Sequence, residues 1–124
     1  MVKLLVVDDS QDAIDVADLI LTDQGFDFDF AMEADAGIEL AKKSEYDLII
    51  LDYMLPGKSG YDVLKEIREG GVSAPVIMAS AYDKSDIDIT GKPYQPDDYL
   101  TKPFGPDDFI ARIHAHIHAK RHKM

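Results

Sequence analysis

Residues 47–57 read Asp47-Leu48-Ile49-Ile50-Leu51-Asp52-Tyr53-Met54-Leu55-Pro56-Gly57, and this stretch decides the fold. Consecutive Leu and Ile residues without polar alternation are expected of a strand covered on both faces, the habit of parallel sheets flanked by helices. The run stops at a carboxylate, Asp52. Working outward, Lys3-Leu4-Leu5-Val6-Val7 and Pro75-Val76-Ile77-Met78-Ala79 repeat the short apolar pattern. Phe26-Asp27-Phe28-Asp29-Phe30 alternates strictly, so one face meets solvent and an edge strand is predicted. Asp98-Tyr99-Leu100-Thr101 is the other predicted edge.

Helical spacing fills the gaps between these strands. Ala13, Val16, Ala17, Ile20 and Leu21 recur at three and four residues, and Gly25 closes that helix. Ala34, Ile38 and Ala41 mark a second helix. Tyr61, Leu64 and Ile67 mark a third, ended by Gly70-Gly71, and Ile110, Ile113 and Ile117 mark one that starts after Pro106. Strand–helix alternation of this kind predicts an α/β, flavodoxin-like doubly wound fold: a five-stranded parallel sheet in the order 2-1-3-4-5, with helices on both faces. The segment from Tyr82 to Asp97 breaks the rhythm. Ile87 and Ile89 alternate with Asp86, Asp88 and Thr90 at a strand-like period, and Gly91, Pro93 and Pro96 follow. Proline inside a helix costs about 3 kcal/mol, so no full-length helix is predicted from Lys84 to Tyr94.

A length of 124 residues fits one domain spanning 1–124, and 46% hydrophobic residues can fill one core. With 30% of residues charged and no apolar run near bilayer length, membrane insertion is not expected. The opening apolar run ends too early, at Asp8-Asp9, for a secretory signal, so a cytoplasmic location is expected. Absence of cysteine excludes disulfides, zinc–thiolate sites and cysteine catalysis. A formal net charge of −11 argues against direct nucleic-acid binding by this domain. Lys120-Arg121-His122-Lys123, the only basic concentration, reads as a solvated helix end. His114, His118 and His122 recur one turn apart, a spacing that can hold a transition metal. No carboxylate or thiol completes that set, and a solvated face is the expected reading.

In open α/β sheets ligands bind beyond the carboxyl ends of the strands, where strand order reverses. Polar groups fall at those ends: Asp8 and Asp9 after the first predicted strand, Asp52 at the third, Ser80 at the fourth and Lys102 at the fifth. Three carboxylates converging on one crevice repel one another and favour a hard divalent cation, Mg2+ above all. One of them can then attack phosphorus as a nucleophile, while an ammonium and a hydroxyl serve the remaining phosphoryl oxygens. Taken singly, each residue has a plainer role: Asp-Asp as a turn or helix cap, Ser80 as a cap, Lys102 as a solvated charge.

With these residues in place, the chain resembles the receiver domains of two-component response regulators. The similarity lies in Leu5-Val6-Val7-Asp8-Asp9-Ser10, in residues 47–57 with Gly60, in Pro75-Val76-Ile77-Met78-Ala79-Ser80-Ala81, and in Asp97-Asp98-Tyr99-Leu100-Thr101-Lys102-Pro103-Phe104. The resemblance implies that Asp52 is the phosphoacceptor, that Asp9 binds Mg2+ directly and Asp8 largely through water, and that the Met54 backbone carbonyl is a further ligand. It implies that Ser80 bonds the phosphoryl group, that Lys102 pairs with it across a cis Lys102–Pro103 bond, and that Tyr99 is an aromatic switch moving inward with Ser80. The phosphodonor would be a sensor histidine kinase or a histidine phosphotransfer protein. Such a domain is a signalling switch that catalyses only its own loading and slow hydrolysis, not a metabolic enzyme. The downstream partner stays open, and if the chain is complete, output must come through binding a partner.

Two departures from the family stand out. The family's fourth helix is expected here to be short or irregular, which touches the face normally used for output. Met54 and Tyr82, each two residues past a key position, are bulky and carry no group to orient water, so slow self-dephosphorylation is expected. Three other functions compete. A flavodoxin-like electron carrier needs a Ser/Thr/Gly-rich first loop, where Asp8-Asp9 would repel a flavin phosphate. A haloacid-dehalogenase-like phosphatase needs an acid two positions after its nucleophile, and Met54 stands there. A pseudo-receiver, binding proteins without phosphorylation, is disfavoured by the intact polar set and mildly favoured by the odd fourth-helix segment.

Overall fold

The computed structural model describes residues 2–81, 89 and 91–122, with side chains of the last helix described as far as His118. Its elements run β1 (Lys3–Val7), α1 (Gln11–Asp23), β2 (Asp27–Ala31), α2 (Ala34–Lys43), β3 (Leu48–Asp52), α3 (Gly60–Glu69), β4 (Val76–Ser80), β5 (Asp98–Thr101) and α4 (Pro106–His122). All strand pairings are parallel, in the order β2-β1-β3-β4-β5. The predicted architecture and both edge strands are therefore present. β2, β3 and β4 each lie one residue later than the sequence runs predict; in β3 and β4 Asp52 and Ser80 themselves still pair in the ladder, and in β2 Ala31 pairs with Val7.

Alternate residues of each central strand point to opposite faces, and both faces are covered. Leu5 and Val7 of β1 join Ile38 of α2 and Leu64 and Ile67 of α3 in one core layer. Leu4 and Val6 join Ile14 and Leu21 of α1 and Ile113 and Ile117 of α4 in the other. The double cover explains why β1, β3 and β4 carry unbroken apolar runs. Two helix phases differ from the predicted ones. In α1 the buried stripe is Ile14, Ala17 and Leu21, while Val16 is half exposed. In α4 Phe109, not Ile110, is the fully buried residue at the first turn. Ser10 caps α1 by accepting the Ala13 N–H at 3.3 Å, which sets where its first turn begins.

Between β4 and β5, the described residues 91–97 are not helical. The Lys92 N–H donates to the Ile89 carbonyl at 3.1 Å, and Gly91 takes φ +80°, a left-handed conformation that favours glycine. Ile89 is buried against Tyr61, with Tyr53, Tyr94 and Tyr99 around them. Of the stretch from Lys84 to Tyr94 that the prediction concerns, residues 84–88 and 90 lie outside the described residues, as does Tyr82.

Candidate functional site

Strand order reverses between β1 and β3, since α1 leads from β1 to one side of the sheet and α2 returns to the other. At that end of the sheet Asp8, Asp9 and Asp52 bring one carboxylate oxygen each within 4.8 Å of the others. Asp8 and Asp52 are buried and Asp9 is exposed. The two buried carboxylates are braced alike. Asp8 accepts the Ser10 N–H on one oxygen at 3.0 Å and the Lys102 ammonium on the other at 2.7 Å. Asp52 accepts the Met54 N–H at 3.2 Å, and its second oxygen lies 3.6 Å from the same ammonium. Asp8-Asp9-Ser10 is thus also the turn that the plainer reading expects, with Asp8 closing it and Ser10 capping α1.

The electrostatics follow from this crowding. Burial pushes the Asp52 carboxyl up to about 6; the Lys102 ammonium and the Met54 N–H oppose the rise, while Asp8 and Asp9 add to it. A carboxylate held against its preference to be neutral is primed to gain from a nearby cation. Oxygen donors of this kind, gathered from two strand ends, suit a hard divalent ion rather than a soft metal. A crevice of about 670 Å³ opens beside Asp9, bordered by Glu33, Asp35, Pro56 and Lys58, so the cluster has an approach from solvent.

The remaining predicted residues are placed by β4 and β5. Ser80 is buried at the last position of β4, in register with Thr101, and its carbonyl accepts the Lys102 N–H at 2.7 Å. The Lys102–Pro103 peptide is cis, as the resemblance implies. Tyr99 packs half-buried on the α3 side, and burial pushes its phenol up. Met54 has a half-exposed side chain, and its backbone bridges to Ser59.

On α4 the His114 ring packs 5.4 Å from Phe26 and 5.8 Å from His118. His116 instead meets Asp98 at 2.9 Å, a carboxylate that Arg112 also holds at 2.8 Å. The His122 side chain lies outside the described residues.

Several contributors escape a motif-based reading. Lys58 spans Asp35 at 2.8 Å and Glu66 at 3.0 Å, fastening the loop after β3 to both neighbouring helices. Ser59 and Asp62 form a reciprocal capping box on α3. The Ser-x-x-acid spacing was a legible signal for the second feature; nothing local announces the first.

Residues 4–114 match the family described as the response regulator receiver domain. The chain belongs to that family. It is a receiver domain of two-component response regulators, and the chain is 39% identical over 111 residues to the transcriptional regulatory protein DltR of Streptococcus agalactiae. That alignment takes in 90% of this chain and 50% of DltR, so the receiver chain spans about half the length of the curated relatives it matches. A CheY-like receiver domain protein from Methanospirillum hungatei superposes with a TM-score of 0.92, over 100% of this chain and 99% of that one. At 22% identity this likeness speaks for the fold alone. The response regulator TrrA from Thermotoga maritima, solved in complex with Mg(2+)-BeF, superposes with a TM-score of 0.83 at 29% identity, over 94% of this chain and 99% of that one. Among the described residues no helix is long and apolar enough to cross a membrane.

Proposed function

We propose that residues 1–124 act as one phosphoacceptor unit in which Asp52 takes a phosphoryl group from a phosphohistidine of a sensor histidine kinase or histidine phosphotransfer protein. The convergence of Asp8, Asp9 and Asp52 within 4.8 Å beside the Lys102 ammonium carries this reading. The donor set fits Mg2+, with Asp9, Asp52 and the Met54 carbonyl as ligands and Asp8 acting largely through water; the Mg(2+)-BeF complex of TrrA supports the choice of ion. Bound there, Mg2+ would offset the negative charge that otherwise repels a phosphoryl group.

The chain's own part is positioning. The Met54 N–H holds one Asp52 oxygen, leaving the other on the Lys102 side as the nucleophile. That oxygen forms a bond to phosphorus as the phosphorus–nitrogen bond breaks and the donor imidazole leaves with the electron pair. Lys102, which lies between Asp8 and Asp52 before transfer, pairs with the transferred group, and the Ser80 hydroxyl donates to it. Ser80 and Tyr99 then move together and change the outer surface. The domain works as a switch, catalysing its own loading and its own slow hydrolysis, in the cytoplasm. Its downstream target is a protein; the acidic surface does not bind nucleic acid directly.

Incubation with acetyl phosphate and MgCl2, read by intact-protein mass, tests this. One phosphate is expected on the wild-type chain and none on Asp52→Asn. No gain on the wild type at saturating donor would remove the phosphoacceptor reading and leave a phosphorylation-independent binding module.

A further inference from the structure

The glycine at the start of α3 sits where no other residue fits. A methyl built on Gly60 would lie 2.6 Å from the Asp52 carbonyl oxygen, 2.8 Å from the Tyr53 Cα and 2.8 Å from the Met78 sulfur. Two of these three contacts are backbone of the proposed phosphoacceptor and its neighbour, so no rotamer change relieves them. Gly37 makes a useful contrast, because the methyl it lacks would meet only the Val7 side chain, at 2.9 Å.

α3 has little freedom to retreat from such a methyl. Ser59 and Asp62 lock its first turn through bonds of 3.2 and 3.3 Å. Behind it Val63, Leu64 and Ile67 are buried in the core. The Gly60 N–H also donates to the Tyr53 carbonyl at 2.7 Å, and Met54 bridges to Ser59, which closes residues 53–60 into a tied loop. On its other side the strand end is held by the Tyr53 N–H on the Ala79 carbonyl at 2.8 Å. Displacement would therefore fall on residues 52–54, which carry the Asp52 side chain and the Met54 carbonyl.

We propose that Gly60 is a positioning residue of the phosphoacceptor site: its missing side chain lets α3 seat against the backbone of Asp52 and Tyr53, and this contact fixes Asp52 and the Met54 carbonyl relative to Asp8 and Asp9. The inference rests on the functional reading above. It concerns aim rather than chemistry, since Gly60 brings no reacting group.

The test compares the wild type with Gly60→Ala, Ser59→Ala and Ile67→Ala by Mg2+ titration, followed through amide NMR shifts of residues 8, 9 and 52–54, and by acetyl phosphate labelling. Gly60→Ala is expected to shift the amides of 52–54 before any metal is added. It should also weaken Mg2+ binding and slow labelling at saturating Mg2+, each about ten-fold, because small misplacements of reacting groups are costly. Ile67→Ala loosens the same helix from behind; it should lose stability yet keep the wild-type Mg2+ affinity. Ser59→Ala, which frees the first turn mildly enough to keep the fold, should shift the amides of 53 and 54 and weaken Mg2+ binding about two-fold. Wild-type shifts and Mg2+ affinity in Gly60→Ala, or in Ser59→Ala where Gly60→Ala does not fold, would overturn the proposal, as would an equal loss in Ile67→Ala. A wild-type chain that takes no phosphate sinks the functional reading instead, and the Mg2+ titration still decides the role of Gly60.

Discussion

Asp52 concentrates the conflict between burial and charge. It is buried, faces two other carboxylates and has only partial access to one ammonium, so its carboxyl rises to about 6. A raised value means that the folded chain favours the protonated acid. The resulting stability is fully present below the ordinary carboxylate value near 4 and is lost as pH rises through about 6. In EDTA, Asp52→Asn should therefore gain on the wild type between pH 4 and pH 7. The gain should reach roughly 1–2 kcal/mol, since a tenfold change in proton affinity is worth about 1.4 kcal/mol and solvent at the rim screens part of the penalty. Urea melts across that range check it; a constant offset between the two proteins would show that Asp52 ionises without penalty.

At the scale of elements, the turn after α3 decides whether β4 enters the sheet in the right register. The Arg68 guanidinium donates to the Val72 and Ala74 carbonyls at 2.9 and 2.8 Å and reaches Asp97 at 3.3 Å. Asp97 in turn accepts the Val76 N–H at 2.8 Å, so one cluster ties the end of α3 to the starts of β4 and β5. Register matters because it places Ala79 beside Asp52 and Thr101 beside Ser80. Removing the guanidinium strands two carbonyls, and Arg68→Ala should cost about 1–3 kcal/mol in urea unfolding. A loss below about 0.5 kcal/mol would mean that water replaces it without penalty. The α3 start was legible in Ser59-Gly60-Tyr61-Asp62, whereas the role of Arg68 was not, since arginine in a last helical turn ordinarily serves the helix dipole.

For the whole molecule, a net charge of −11 is concentrated most damagingly where three carboxylates meet. An ion that binds only the folded chain stabilises it by mass action. At ten times its dissociation constant, Mg2+ should raise the melting temperature by roughly 3–8 °C, with Asp9→Asn losing most of the gain. NaCl at matched ionic strength relieves only the diffuse repulsion and should fall short of Mg2+. An equal rise with either salt would place the stabilisation on the general surface and not at the cluster.

Most of the architecture was written into local runs. Apolar blocks without alternation specify buried parallel strands, Phe26 to Phe30 announces an edge, and carboxylates at strand ends mark where chemistry gathers. These are properties of neighbouring residues, so the chain alone determines them. Helix phase was less legible: Val16 and Ile110 match an apolar stripe as well as Ile14 and Phe109 do, and only packing against the sheet chooses between them. The Lys102 grip on Asp8, the Lys58 strap and the seat beneath Gly60 join residues brought together by the fold. Such contacts depend on strand register and on the distance at which a helix settles, and those are fixed when the two core layers close on the sheet.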